Sequence, residues 1–362
     1  KVLSGLLVLC FVVAQCIYVW ADASYHVPVT RIAHQLPVKE GFTAKRLLVR
    51  YGLVDIQQSR ERQLARRMAS ADSRDTASLN YPLTDMRCEA GPGLNVVVIL
   101  VDAMRYGMLN QGLTPALDRL AEERAMQFSN HFSGGNSSRM GAFSLFYGLP
   151  PGYFSSFEAV QKPPVLMTEL KRQHYQFGIF SSSNLYRPVT LDRTAFAEIP
   201  NLRVETSPKD APAWRRDQIM TQEWMSWLDQ RSEQQPFFGF LFYDAANAMT
   251  FPPELESRQT GPAEDPLAEM LGRYQTAIQF VDDLIGRVIA DLEQRGLSEN
   301  TVILVTSDHG EEFGENGDGI SGHGSGYSRY QLGVPMLLAW PGLPPRKFNH
   351  RTSHYDIAPT LM

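Results

Sequence analysis

The sequence predicts an α/β fold, in which a mainly parallel β-sheet is sandwiched by helices and preceded by a transmembrane helix and a basic interfacial helix. Continuous apolar runs of strand length, such as 95–101 and the run beginning at Thr301, are typical of strands buried on both faces. Segments with apolar residues at three- and four-residue spacing alternate with these runs. An apolar content of 43% in 362 residues is sufficient for a substantial hydrophobic core.

The first segment is apolar enough to cross a membrane. Residues 2–20 form a run of about 19 residues without charge, and Gln15 is the one strongly polar member. Tyr18 and Trp20 at its end are typical of a membrane interface. We therefore expect a transmembrane helix over 1–23, the last of several. The alternative is a signal peptide cleaved at Ala21-Asp22-Ala23. The length of the apolar run argues against it, because the run exceeds the apolar core of a usual signal peptide.

Positive charge is concentrated next to this segment. Residues 1–70 carry ten Lys/Arg and four acids, a net charge of +6, whereas the whole chain carries -5. Apolar residues at helical spacing predict an amphipathic helix from Thr43 to about Met68, a form typical of segments that lie on anionic headgroups. The alternative is a helix packed on the soluble domain with solvated charges. The predicted lipid-binding residues are Lys45, Arg46, Arg50 and Tyr51.

These features define three predicted regions. They are a transmembrane helix (1–23), a juxtamembrane basic helix and linker (24–93), and a globular domain (94–362). The three cysteines do not make a disulfide framework. The basic residues are not interleaved with stacking aromatic residues, which argues against a nucleic-acid-binding protein.

The globular region has a regular alternation of elements. The predicted strands are 95–101, 127–132, 176–182, 236–244, a strand beginning at Thr301, and 334–340. The predicted helices are 115–124, a helix after the Gly/Ser turn at 134–139, 166–173 and about 265–295. Trp224, Trp227 and the aromatic residues of 237–243 are expected in the core.

Polar residues follow several of the predicted strands and indicate a metal site. Asp102 follows the first strand, and Asp308-His309 follows the strand that starts at Thr301. Since ligands collect outside the carboxyl ends of parallel strands, we expect these three side chains to converge on a divalent cation, Mg²⁺ or Mn²⁺ in preference to Zn²⁺.

Three further residues are candidates for catalysis. A hydroxyl beside such a cation loses its proton more easily, which makes Ser137 and Ser138 candidate nucleophiles. His323, in a glycine-rich loop, is a candidate proton donor. Each has a structural alternative: Asp102 as a helix cap, the serines as turn residues, and His323 as a solvated side chain.

Several motifs together resemble the alkaline phosphatase/sulfatase superfamily. They are NVVVILVDAMR (95–105), the Gly/Ser turn (134–139) followed by FSLFYGLP (143–150), SDHGEEFGE (307–315), GHG (322–324) and SHYDIAPTL (353–361). The membrane-tethered branch, which includes lipoteichoic acid synthases and phosphoethanolamine transferases, has the most similar architecture. The resemblance implies an inner-membrane protein with a periplasmic domain behind several spans. It also implies binding of lipid A, lipopolysaccharide or cardiolipin, and control of lipopolysaccharide synthesis and outer-membrane assembly through a regulatory membrane-protein partner.

The resemblance also implies roles for individual residues. Asp102 takes the place of the metal carboxylate, Asp308 and His309 that of the ligand pair, and Ser137 that of the nucleophilic Thr; an alternative alignment puts Gly135 at the nucleophile. The His-x-Pro that usually follows the middle strand is missing, and Asn247 is the nearest polar substitute.

Two functions remain as hypotheses. The first is a lipid-sensing regulator with a vestigial metal site, a pseudoenzyme. The alternative is a weak metal-dependent phosphatase, or a phosphoryl or phosphoethanolamine-type transferase, acting on lipid headgroups.

Overall fold

The computed structural model describes residues 2–26, 29–30, 44, 47–48, 51–69, 79–84, 86, 88–89, 91, 93–258, 266–317 and 320–362. Three of the four predicted lipid-binding residues, Lys45, Arg46 and Arg50, lie outside this described part. The chain divides into two compact units. The first comprises Lys1–Asp85, Gly152–Pro163 and Asp192–Leu202, and the second comprises Met86–Pro151, Pro164–Leu191 and Arg203–Met362.

The helices and strands of the described residues are numbered in chain order. The helices are α1 (Val2–Ala23), α2 (Ile56–Ala69), α3 (Pro115–Glu123), α4 (Ser138–Tyr147), α5 (Phe154–Val160), α6 (Val165–Arg172), α7 (Ala213–Gln230), α8 (Pro266–Gln294), α9 (Arg329–Leu332) and α10 (Ile357–Leu361). The strands are β1 (Asn95–Val101), β2 (Ala125–Phe128), β3 (His131–Phe132), β4 (Gln176–Ser181), β5 (Phe237–Tyr243), β6 (Thr301–Thr306), β7 (Glu312–Phe313), β8 (Ser321–Gly322), β9 (Met336–Ala339), β10 (Arg346–Phe348) and β11 (Thr352–Ser353).

A mainly parallel sheet forms the centre of the second unit, as the sequence predicts. In the described part it has seven strands in the order β10-β2-β9-β6-β1-β5-β4. Strand β1 is parallel to both β5 and β6, and β5 is parallel to β4. Strand β9 runs antiparallel to its neighbours β2 and β6. The carboxyl ends of β1, β5 and β6 therefore lie side by side at one edge.

Helices cover both faces of this sheet. On one face, Val97, Ile99 and Val101 of β1 share a buried core with side chains of α3, α7 and α8. On the other face, Phe146 of α4 packs on Phe240 of β5 with ring centroids 5.4 Å apart. The alternate residues of β1 thus face two different helix layers, which explains why the whole strand is apolar.

Aromatic residues of α7 lie directly on the sheet, and two glycines make the room. Trp224 and Trp227 stack with ring centroids 5.4 Å apart. A Cβ atom at Gly239 would lie 2.5 Å from Trp224, and one at Gly178 would lie 2.8 Å from Trp227. The expectation that these tryptophans belong to the core is confirmed for Trp224, which is completely buried, whereas Trp227 is half-buried and packs against the core.

Two expectations about the elements differ from the structure. The predicted strand 127–132 is divided into β2 and β3, because residues 129–130 form a turn between them. Helix α7 was not predicted, although its buried residues, among them Met220, Trp224 and Leu228, recur at four-residue spacing. Trp214 and Trp227 are only half-buried, beside this buried row and packed against the core, which weakens the periodic signal.

In the first unit, α1 is long and apolar enough to cross a membrane over Leu3–Ala23. Its side chains are largely exposed in this unit, as those of a lipid-facing helix would be. The end of the helix is different, because Asp22 and Tyr25 are buried. Asp22 accepts a 2.7 Å ion-pair hydrogen bond from Arg193. The Arg193 guanidinium also lies over the Tyr25 ring, 4.6 Å from its centroid.

Helix α2 is attached to the same part of the first unit. The buried Arg60 guanidinium donates to the carbonyl oxygens of Phe196 and Ile199 at 2.8 and 2.6 Å. Segment Asp192–Leu202 is therefore bonded both to the end of α1 and to α2. This segment belongs to the region after β4, more than 100 residues along the chain.

The predicted continuous helix from Thr43 to about Met68 is interrupted. Leu53 N–H donates to the Leu48 carbonyl, and Gly52 between them has φ +67°, a backbone arrangement that ends a helix. Asp55 then starts α2, because its carboxylate accepts from the Gln58 N–H at 2.9 Å. The expectation of one helix is wrong at this point, and Gly52 is its physical cause.

Asp282 of α8 caps the start of α3. Its carboxylate accepts from the backbone N–H groups of Ala116 and Leu117 at 2.9 and 3.0 Å, whereas Thr114 makes no side-chain cap. Asp282→Ala should lower the free energy of unfolding by about 1–2 kcal/mol, and Asp282→Asn by less, because the amide oxygen still accepts one bond. Thermal unfolding monitored by tryptophan fluorescence measures the difference. The neighbouring Asp283 is exposed, so Asp283→Ala is the control, and an equal loss in that variant would contradict the capping role.

Candidate metal centre

The site is built from the carboxyl ends of adjacent strands. Asp102 directly follows β1, and Asp308-His309 follows β6 after one residue. All three side chains are buried, with Asp308 and His309 completely inaccessible. One ligand atom from each of the three lies within 4.8 Å of the others. The structure thus brings together the residues that the sequence pattern placed at separate strand ends.

A hydrogen bond of Nδ1 fixes the orientation of the His309 ring. Nδ1 lies 2.9 Å from the Gly310 carbonyl oxygen, which can only accept, so Nδ1 carries the proton. Nε2 then offers a lone pair. It lies 3.4 Å from Asp102 Oδ1 and 3.8 Å from Asp308 Oδ2.

Three acceptor atoms therefore face one another without a donor between the carboxylates. Among the described residues, Asp102 Oδ1 and Asp308 Oδ2 have no hydrogen-bond partner. Burial raises the pKa of Asp102 well above its ordinary value, and the charges of Asp308 and Asp244 raise it further. Such a cluster is electrostatically unfavourable by itself, and a divalent cation would relieve it. The residues present fit a metal ion held by two carboxylates and one imidazole.

The second carboxylate oxygen of Asp308 is held by backbone groups. Oδ1 accepts from the N–H groups of Ala103 and His309 at 3.1 and 2.9 Å. These bonds leave Oδ2 directed toward His309 Nε2 and the cluster. Asp308 is thus oriented by the chain in the way that metal ligands usually are.

The serine turn lies against the same cluster. Gly141 of α4 makes this possible, since a Cβ atom there would lie 1.8 Å from the Asp308 carbonyl oxygen. Ser138, the first residue of α4, is buried, and its Oγ lies 3.2 Å from His309 Nε2. Ser137 is the N-cap residue, with an extended backbone and no side-chain cap bond, and it is half-buried. Ser138 therefore contacts the cluster directly, and its neighbour Ser137 is the more accessible of the two candidate serines.

The glycine-rich loop brings His323 to the site, as predicted. Strand β7 pairs with β8, and the Gly324 N–H donates to the Asn136 carbonyl at 2.8 Å. The His323 ring lies 4.2 Å from the His309 ring, centroid to centroid. Its Nδ1 lies 2.8 Å from Glu311 Oε2, and this hydrogen bond raises the pKa of His323. His309, Glu311 and His323 form a second group that could hold a cation.

Two acidic residues of the site were missed in the sequence. Glu311 comes two residues after His309, and this proximity was the available signal. Asp244 follows β5, next to β1, and was noted only as part of a loop that lacks a histidine. Its carboxylate is engaged by Arg216 at 2.8 Å and by Asn247 at 3.4 Å, so Asn247 binds Asp244 and does not stand alone. Arg216 lies on α7, the helix that the sequence did not predict.

Of the predicted lipid-binding residues, Tyr51 is the one within the described part of the chain. It is 68% exposed, beside Leu47 and Leu53 at 54% and 70%. The exposed apolar side chains of this turn lie in the same unit as α1. They form a candidate interfacial surface that is separate from the metal centre along the chain.

Two family models match consecutive parts of the chain. Residues 1–88 match a family model described as a domain of unknown function (DUF3413). The inner membrane protein YejM of Salmonella typhimurium is 30% identical over 97% of this chain and 54% of that protein, so the chain spans about half the length of this relative.

Solved structures with a similar fold include two membrane-lipid enzymes. The lipooligosaccharide phosphoethanolamine transferase EptA of Neisseria meningitidis superposes with a TM-score of 0.58 at 17% identity, over 75% of this chain and 55% of that one. The lipoteichoic acid synthase LtaP of Listeria monocytogenes gives a TM-score of 0.57 at 17% identity, over 75% and 71%. The family model for sulfatases matches residues 94–362, which is most of the chain and all of the metal centre. The chain therefore belongs to the sulfatase family.

Proposed function

We propose that the protein is an inner-membrane, lipid-sensing regulator whose membrane-proximal segment binds anionic lipid, such as lipid A, lipopolysaccharide or cardiolipin, with the sulfatase-family domain in the periplasm. Control of lipopolysaccharide synthesis through a membrane-protein partner would be its output. The observation that carries the proposal is α1, whose apolar span is followed at once by positive charge and by the exposed Leu47, Tyr51 and Leu53. This combination is typical of chains that lie on anionic headgroups.

The contacts at the end of α1 support a membrane anchor over a cleaved signal peptide. Ala21, Asp22 and Ala23, the residues around the alternative cleavage site, are all buried. Asp22 also pairs with Arg193. Cleavage after Ala23 would remove Asp22 together with α1 and leave the buried Arg193 charge without this acid partner. The name of the Salmonella relative, an inner membrane protein, agrees with this location.

The surroundings of the metal centre support a regulator over an efficient enzyme. Where the resemblance calls for a His-x-Pro after the middle strand, this chain has Asp244, already bonded to Arg216 and Asn247. A carboxylate in that position repels the phosphate or sulfate of an ester and cannot donate a hydrogen bond to it. Weak or absent turnover is the expected consequence.

Charge reversal near the membrane tests the lipid-binding proposal. Arg46→Glu combined with Arg50→Glu should weaken binding of fluorescent cardiolipin to the detergent-solubilised protein by more than about tenfold at low salt, since each basic residue near an anionic surface contributes about 1 kcal/mol. Arg287→Glu with Lys347→Glu makes the same change of net charge at exposed positions of the sulfatase domain. Equal binding by the two double variants would refute the proposal.

A second candidate function is a weak metal-dependent phosphatase or phosphoryl transferase, and the three facing acceptor atoms favour it. A divalent cation held by Asp102, Asp308 and His309 would polarise an ester oxygen and acidify a nearby hydroxyl. Ser137, the half-buried neighbour of Ser138, would attack the phosphorus. His323, whose ring lies 4.2 Å from that of His309, would pass its proton to the leaving oxygen.

Hydrolysis of an aryl phosphate with added Mn²⁺ or Mg²⁺ tests this candidate. Asp308→Ala should abolish the metal-dependent rate, and Ser137→Ala should lower it by about a hundredfold or more, because the nucleophile is lost. Ser138→Ala should lower it less, since Ser138 is buried against His309 and is not the proposed nucleophile. Ser226→Ala, on the exposed side of α7, is the control. A rate that is the same in wild type and in Asp308→Ala would exclude the metal centre as its source.

The pH dependence of that hydrolysis depends on Glu311. His323 must be protonated to donate, and its hydrogen bond to Glu311 raises its pKa, so activity is present at low pH and is lost as the pH rises through the raised value. Glu311→Gln removes the carboxylate charge and should move the alkaline limb of the rate profile to lower pH. Glu299→Gln, at an exposed position, should leave the profile unchanged. An unshifted limb in Glu311→Gln would show that another group sets it.

A further inference from the structure

The chain turns sharply after Asp102, and each N–H of this turn has a specific acceptor. We call residues 102–105 the Asp102 elbow. The Asp102 N–H donates to the Tyr243 carbonyl at 2.9 Å, and the Ala103 N–H donates to Asp308 Oδ1 at 3.1 Å. The Met104 N–H donates to Ser307 Oγ at 2.9 Å. The elbow is thus attached to β5 and to the Asp308 segment, the elements that form the metal centre.

The elbow contains a strained residue. Ala103 has φ +64°, in the left-handed region, which costs an alanine about 1 kcal/mol. A conformation of this kind persists only where neighbouring bonds hold it. Because Ala103 directly follows Asp102, its backbone conformation sets the direction in which the chain continues from the end of β1.

We propose that the Tyr274 hydroxyl is the positioning group that holds the Asp102 elbow in its metal-binding form. Tyr274 lies on α8 and is completely buried. Its hydroxyl donates to the Ala103 carbonyl oxygen at 2.9 Å and accepts from the Arg105 N–H at 3.0 Å. One atom therefore closes the elbow from both sides of Met104. Tyr274 touches neither Asp102 nor the cation site, so its role is to position and not to catalyse.

The hydroxyl is suited to this double contact. Burial raises the pKa of Tyr274, so the hydroxyl keeps its proton and can donate at any physiological pH. Without it, the buried Arg105 N–H loses its acceptor and the Ala103 carbonyl loses its donor. Relaxation of the strain at Ala103 would then disturb the Ala103 N–H bond to Asp308 Oδ1, which orients the Asp308 carboxylate beside Asp102 and His309. Loss of an outer contact of this kind typically weakens metal binding by about 10–100-fold.

Tyr274→Phe tests the inference, which rests on the proposed metal site. The variant should bind Mn²⁺ about tenfold more weakly in calorimetric titration of the purified full chain. It should also exchange the amide hydrogens of residues 102–106 faster in metal-free buffer. Tyr243→Phe is the matched control: Tyr243 is also completely buried, and its hydroxyl bonds to Thr221 of α7 at 3.0 Å instead of to the elbow.

Mn²⁺ titration and amide hydrogen exchange together distinguish a positioning role of Tyr274 from a general loss of stability. Weaker Mn²⁺ binding and faster elbow exchange in Tyr274→Phe, with neither change in Tyr243→Phe, would support the inference. Exchange as slow as in Tyr243→Phe, or faster exchange with unchanged Mn²⁺ affinity, would overturn it. If the wild type binds no Mn²⁺, the metal-site proposal fails, and faster exchange in Tyr274→Phe alone still supports Tyr274 as the group that holds the elbow.

Discussion

The repulsion among buried acceptor atoms at the ends of β1 and β6 is the constraint on which the site depends. Asp102 and Asp308 are buried with carboxylate oxygens that lack partners among the described residues, and the His309 lone pair is directed toward them. In a packed interior this arrangement raises the free energy of the folded chain unless a cation binds or a carboxylate takes up a proton, which the raised pKa of Asp102 favours. Several hydrogen bonds hold the backbone and side chains of these residues. Ala103, Ser307 and the backbone of His309 hold the ligands in place against that repulsion.

The sequence predicts the centre of the fold well because strands buried on both faces appear as continuous apolar runs. Strand β1 has the predicted bounds, Asn95–Val101, and β6 begins at the predicted Thr301. The long helix differs from its predicted bounds by one residue at each end, because a single apolar face is buried along its 29 residues. Strands that end at one edge of a parallel sheet bring their next residues together, so Asp102, Asp308 and His309 were predictable as a group.

The sequence is a poorer guide where contacts between distant segments determine the structure. Gly52, with φ +67°, interrupts a pattern that otherwise predicts one helix, and the buried row of α7 mixes polar residues such as Asp217 and Thr221 with apolar ones. Asp244 is bonded by Arg216, and the position of Arg216 depends on α7. The bonds from Arg60 and Arg193 connect residues 136 and 171 positions apart, and no local pattern records such a separation.

The two proposed functions differ in which of these features would be used. Lipid sensing requires the first unit, where the end of α1 is bonded to Asp192–Leu202, a segment that leaves the sulfatase region soon after β4. Both Asp22 and Arg193 are buried, and removal of one partner from such a pair typically costs about 3–5 kcal/mol, because the other charge is left without its partner. Phosphate chemistry requires the second unit, where Asp102, Asp308 and His309 form the candidate cation site and the charge of Asp244 raises the pKa of Asp102. A carboxylate beside the candidate cation site disfavours an anionic ester, whereas the apolar span and the basic segment after it have the features expected of a lipid-binding region. This is the physical reason for preferring the regulator.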